Sequence, residues 1–269
     1  MNNKELSHKF ENAIKPVLSK AVFTYVMLTL CEFGCLFVLI FISTVLSSFM
    51  GFLAPFVSIF CTFLTLAIAF ILNYGAFIIY LRFLRKERVT IGYMFIGFKQ
   101  KRIVTALYFF LFLSMIILFG SCIPIYLTVD LTQADAMEKL FSDTAKFLKL
   151  SGYVTLISVV LFCVLFVRFS FTWLILHDNP TMTGWQAVKR SWKIISKKVF
   201  KFIGFLLYAN RRYLLSLIIL EVGVYLLPST NQTSFLSMIM GIATFVVSAL
   251  LMARLYFSIT VFYDDLRSE

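Results

Sequence analysis

Six stretches of this chain stay apolar for about the 20 residues that a helix needs to cross a hydrocarbon layer. They cover residues 22–46, 56–81, 104–127, 153–176, 199–227 and 235–262. In lipid, every backbone N–H and C=O must find its partner inside the chain, and an α-helix does so within one segment. The expectation is therefore an all-α fold: a polytopic transmembrane helical bundle of about six spans, one integral membrane domain over residues 1–269. Composition agrees. The 269 residues are 61% hydrophobic and 14% charged, with 32 Phe. A soluble domain is about half apolar and about a quarter charged, and one water-facing core cannot hide the difference.

Residues 1–20 are polar and carry Lys4, Lys9, Lys15 and Lys20. The apolar run behind them is too long for a signal-peptide core, so it is expected to stay as the first span. Orientation follows from the cations. Arg82, Arg85, Lys86, Arg88, Lys99, Lys101 and Arg102 lie between the second and third runs. Lys189, Arg190, Lys193, Lys197, Lys198 and Lys201 lie between the fourth and fifth. The opposite side holds Lys139, Lys146 and Lys149 among Asp130, Asp135, Glu138 and Asp143. Loops rich in Lys and Arg stay in the cytoplasm, which predicts cytoplasmic N- and C-termini. Ala134, Met137, Phe141, Ala145 and Leu148 recur at helical spacing, which predicts an amphipathic helix within 130–150, lying on the outer surface or folded over the span ends.

The net charge of +12 is thus explained by topology and by attraction to anionic lipid. Nucleic acid is not an expected partner, since no aromatic-basic recognition motif is present. Cys31, Cys35, Cys61, Cys122 and Cys163 show neither zinc spacing nor a disulfide frame. No metal and no cofactor is expected.

The two cytoplasmic segments echo one another. Leu84 to Phe95 and Leu176 to Ala187 each end a span, turn, and lead into a basic amphipathic helix, with Gly92-Tyr93 over Gly184-Trp185. Pro180 stops one helix, and Thr181 or Thr183 can cap the next. Trp185, Val188, Trp192 and Ile195 share a face flanked by Lys189, Arg190, Lys193 and Lys197. Such a helix lies in the headgroup layer, aromatics down and cations toward phosphates. Arg85, Lys86, Arg88, Trp185, Lys189, Arg190, Trp192, Lys193, Arg211 and Arg212 are the residues expected at lipid headgroups.

Ionisable residues inside a membrane point to function. Glu32 sits about ten residues into the first run. Arg168 and Arg254 sit nine or ten residues from the inner ends of the fourth and sixth. Glu32 is expected to face one or both of these Arg in an intramembrane polar cluster, because a lone charge at that depth costs several kcal/mol. Asn210-Arg211-Arg212 interrupts the fifth run, which predicts a tilted or broken helix there. Asn73 can bridge helices.

Arg168-Phe169-Ser170-Phe171, His177-Asp178-Asn179-Pro180, Ala187 to Ser191 and Phe262-Tyr263-Asp264 together carry a likeness. Region 166–266 resembles a family of uncharacterised bacterial integral membrane proteins, related to the membrane domain fused to some glycerophosphodiester phosphodiesterases. Residues 81–98, with Gly92 and Phe95 to Phe98, also look similar. The resemblance implies several spans and a bacterial inner membrane. It brings no activity, and the phosphodiesterase chemistry is not implied.

No phosphate-binding loop, metalloprotease motif or nucleophile elbow is present, and no catalytic residue is expected. The expected function is non-enzymatic: a lipid- or solute-interacting protein, transporter-like or a lipid-binding scaffold, with membrane lipids as partners. The alternative is an accessory subunit that binds another membrane protein. A metal-dependent lipid enzyme would need Asp178, Asp264 and Asp265 gathered around an ion.

Overall fold

The apolar runs become helices, five of them single and the fourth divided in two. A computed structural model describes residues 3–50, 54–101, 103–128, 144–226 and 234–268. Helix α1 (Asn3–Ile14) passes through a 3-10 turn (Lys15–Val17) into α2 (Leu18–Met50), and α3 spans Ala54–Leu84. A 3-10 helix covers Ile91–Lys99. Then follow α4 (Ile103–Thr128), α5 (Thr144–Phe169), α6 (Thr172–Asp178), α7 (Gly184–Ser196), α8 (Val199–Leu226) and α9 (Ser234–Ser268). No strand occurs among the described residues.

Among the described residues, four segments are long and apolar enough to cross a membrane: α2 with its N-terminal extension, α3, α8 and α9. Helices α4 and α5 have 26 residues each, about 39 Å at 1.5 Å per residue. The chain is a helical membrane protein.

Packing is uneven along the bundle. Tyr74, Tyr80, Leu174, Phe202, Phe205, Phe257 and Phe262 are fully or almost fully buried. They come from the C-terminal halves of α3 and α9, the N-terminal half of α8, and α6. Leu6, Phe10 and Ile14 of α1 join them. Rings meet edge-on or tilted: Phe171 with Phe202 at 5.2 Å, Phe202 with Phe262 at 4.9 Å, Phe10 with Phe205 at 6.2 Å. The opposite ends of the helices expose Phe37 (74%), Phe60 (67%) and Ile219 (70%). Lipid tails are as apolar as these side chains, so no solvent force drives them inward. The packed end is the end the cations mark.

Three expectations need correction. The fourth run is not one helix over 153–176. It breaks at residues 170–171, where Ser170 Oγ donates to Val167 O (3.1 Å) and Ser191 Oγ donates to Arg168 O (3.0 Å). These hydroxyls take over carbonyls that a continuing helix would have used. The first cytoplasmic segment is a 3-10 helix, not a basic α-helix, so its echo of the second does not extend to helix type. It seats on α3 because Gly75 leaves room: a Cβ there would lie 2.1 Å from Met94 O. The fifth run is neither broken nor short, since α8 passes unbroken through Arg211 and Arg212. Asn210 turns inward and donates to Leu206 O (2.9 Å) and Ser258 Oγ (3.1 Å), which leaves both Arg exposed. The amphipathic helix expected over 130–150 falls mostly on residues outside the described set, and from Thr144 the chain belongs to α5.

Helix α3 ends in a Schellman cap. Lys86 N–H donates to Phe83 O (3.2 Å) and Glu87 N–H to Arg82 O (2.9 Å). The residue that must turn left-handed is Lys86, at φ 58°. Glycine is usual there, and an L side chain costs roughly 1–2 kcal/mol in that conformation.

Helix α7 begins in a capping box. Thr183 Oγ1 accepts from Gln186 N–H (3.4 Å), and Gln186 Oε1 accepts from Thr183 N–H (2.9 Å). Thr183, not Thr181, is the cap. Thr183→Ala is expected to lower stability by about 1 kcal/mol, read as a lower unfolding midpoint in detergent, while Thr181→Ala leaves the midpoint unchanged.

Candidate functional site

Helix α1 is polar in sequence, yet it buries Leu6, Phe10 and Ile14 against α8 and α9. Its other face then shares a cavity with those helices. Phe10 is clamped between Phe205 and Phe257, and Lys9 reaches Asp265 (3.7 Å). Beside this contact opens a cavity of about 610 Å³. Four cations line it, Lys15, Arg211, Arg212 and Arg254, against one carboxylate, Glu11. His8, Asn12 and Ser216 complete the polar wall, with Tyr208 and Tyr213 as aromatic faces.

Arg254 is the deepest of the four, 4% exposed. Its Nη2 donates to Glu11 Oε1 and to Ala209 O (3.0 Å). Its guanidinium lies over Phe10 (4.8 Å) and Tyr213 (4.7 Å). Its Nε is buried without a hydrogen-bond partner. A buried donor left unpaired costs about 1–3 kcal/mol. Arg211 stacks on Tyr208 at 4.6 Å and stays exposed, as does Arg212. One carboxylate cannot neutralise four cations, so the cavity carries a local positive excess that an anion would relieve.

The structure does not join Glu32, Arg168 and Arg254 into one cluster. Glu32 accepts from Asn73 Nδ2 (2.7 Å), and Asn73 Oδ1 accepts from the Tyr256 hydroxyl. An amide on α3, not an arginine, satisfies the carboxyl. Asn73 thus bridges α2, α3 and α9. Arg168 lies at the end of α5, because the helix breaks just beyond it, and bonds Ser196 Oγ (2.6 Å) over the Trp192 ring (4.6 Å). Arg254 takes Glu11, 243 positions away.

The residues expected at headgroups divide. Arg85 is engaged elsewhere: it donates twice to Asp178, at 2.9 Å each, and lies 3.7 Å from Asp264. Arg267 (2.8 Å) and Tyr263 (3.1 Å) also donate to Asp178. This hub ties α3, α6 and α9 together, and the carboxylates counted for a metal face arginines and Lys9 instead. No group of three metal-ligating side chains occurs among the described residues. The apolar face of α7 is partly covered by protein. Val188 and Ile195 are buried in protein, while Trp185 and Trp192, each 45% exposed, pack on Phe109 and Phe169 at 5.5 Å. Half of that face therefore covers α4, α5 and α6, and the outer edges of both tryptophan rings stay open. Lys189, Arg190, Lys193 and Lys197 remain on an open surface, as do Lys86 and Arg88.

Sequence reasoning missed α1 as a wall of the site. Its i, i+4, i+8 pattern of Leu6, Phe10 and Ile14 was the available signal. Comparison of the chain with protein-family models, with curated proteins and with solved structures finds no match, so the geometry above is what bears on function.

Proposed function

We propose that this is a multi-pass protein of a bacterial inner membrane, both ends cytoplasmic, that holds a phosphate-bearing anionic group in the cavity between α1, α8 and α9. It handles a lipid or a solute without chemistry, as a transporter-like protein or a lipid-binding scaffold. The observation that carries this reading is Arg254, buried with an unpaired Nε at the wall of a cavity that three further cations line. Arginine presents planar, bidentate donors suited to phosphate. Lys and Arg clustered on one side support the cytoplasmic ends, and the likeness of region 166–266 supports the bacterial membrane.

The test reconstitutes the protein with phosphatidylglycerol or phosphatidylcholine and measures retained lipid by native mass spectrometry. Wild type is expected to retain phosphatidylglycerol preferentially. Two interfacial cations contribute about 1 kcal/mol each, so Arg211→Gln with Arg212→Gln is expected to weaken retention by about thirtyfold. Soluble glycerol phosphate is the second arm: competition by it identifies a solute, and its failure to compete identifies a lipid headgroup. Undiminished retention in the double variant, without competition by glycerol phosphate, would overturn the reading.

A further inference from the structure

A second opening of about 1040 Å³ lies between the start of α2, the end of α3 and the turn that follows. Its rim carries Lys20, Lys86 and Arg88. The one carboxylate beside them, Glu87, is drawn off to Arg82 at 3.6 Å. Its wall is apolar: Phe23, 52% exposed, with Phe83 and Ile91. Lys20 stands two residues inside α2, and Lys86 two residues beyond α3. Both therefore sit at the same end of two adjacent antiparallel helices, and Phe23 lies about 4.5 Å deeper at 1.5 Å per residue. Cations at the rim and a ring one turn below match an interfacial lipid, phosphate out and acyl chain in.

The backbone adds an independent observation. Lys86 occupies the left-handed position of the α3 cap, where glycine fits without strain. Strain of this kind persists where the surrounding structure holds it, and it clusters at ligand sites. Here the side chain delivered is the cation at the groove mouth.

We infer that this groove is a binding site for a whole anionic phospholipid of the inner leaflet, with Lys20, Lys86 and Arg88 on its phosphate and Phe23, Phe83 and Ile91 along its chain. A free phosphate would have no use for that wall. The inference rests on the membrane placement proposed above, not on the cavity at Arg254.

Lys86→Gly tests it, because strain relief and loss of the cation act in opposite directions. Unfolding midpoints are measured in detergent, with and without phosphatidylglycerol or phosphatidylcholine, in the Arg211→Gln, Arg212→Gln background to silence the cavity. In that background phosphatidylglycerol is expected to raise the midpoint and phosphatidylcholine much less. Adding Lys86→Gly is expected to raise the lipid-free midpoint and to cut the phosphatidylglycerol shift by more than half. Lys86→Gln, which keeps the left-handed side chain, is expected to cut the shift without raising the lipid-free midpoint. An undiminished shift in both Lys86 variants would overturn the proposal, as would equal shifts from the two lipids or from soluble glycerol phosphate. Normal lipid retention after the arginine changes alone counts against the cavity only.

Discussion

Asp178→Ala is expected to destabilise the protein by about 3 kcal/mol, the low end of the range for breaking a buried ion pair. The Asp178 side chain is 7% exposed, while Arg85 keeps 26% and can still reach water. Four donor contacts converge on this carboxylate: two from Arg85, one from Arg267 and one from Tyr263. Without it the guanidiniums face each other, and α6 loses its tie to α3 and α9. The measurement is chemical unfolding in detergent, and Asp178→Asn is expected to fall between wild type and Asp178→Ala. A loss below 1 kcal/mol would show that the hub is solvated and dispensable.

The same group sets an acid limit. Burial pushes the Asp178 carboxyl up, but the Arg85 hydrogen bonds and the charges of Arg85 and Arg267 outweigh it, and its pKa lies below the ordinary 3.8. A carboxylate with a lowered folded pKa stabilises above its ordinary value and loses that contribution as pH falls through the lowered one. Wild type is therefore expected to lose stability below about pH 3.8, and Asp178→Asn to lack that component of the decline.

The second large effect is steric. Gly75→Ala would place its Cβ 2.1 Å from Met94 O and 2.6 Å from Met94 Cα. Both are backbone atoms, so no rotamer relieves the overlap, and the whole 3-10 segment must leave α3. Overpacking in a tight core costs typically 1–3 kcal/mol and occasionally more, and about 3 kcal/mol or above is expected here. Gly34→Ala in α2 is the matched control. Nothing lies within 4 Å of its added carbon, and replacing a mid-helix glycine stabilises by about 0.8–1.0 kcal/mol. Unfolding midpoints and monodispersity of the two variants should move in opposite directions, and parallel behaviour would refute the packing argument.

Hydropathy alone located most helices. The runs at 104–127 and 199–227 begin within one residue of α4 (Ile103) and α8 (Val199). That success has a physical basis, since lipid demands continuous apolar helix. Depth is what such a pattern encodes, and neighbours are not. Glu32, Arg168 and Arg254 were all placed at similar depth, yet each took a partner from a helix the pattern could not identify. The break after Phe169 carries no Pro or Gly, and two serine hydroxyls make it, one of them from α7. Thr183 was readable as a cap because capping is local. The cavity is half readable: Arg211, Arg212 and Arg254 stand out as charges in apolar runs, whereas α1 falls in a tail that reads only as polar and basic.

That tail has a consequence in time. Glu11 and Arg254 are 243 positions apart. Chains lengthen at about 5–20 residues per second, so α1 exists for roughly ten seconds or longer before α9 does. Throughout that interval Leu6, Phe10 and Ile14 have no cleft to enter, and Arg254 has yet to be made. Of the described helices, α1 is thus the first to emerge and among the last to dock. A polar outer face and a narrow apolar stripe suit α1 to wait at the membrane surface, and a chain halted before α9 would leave it there.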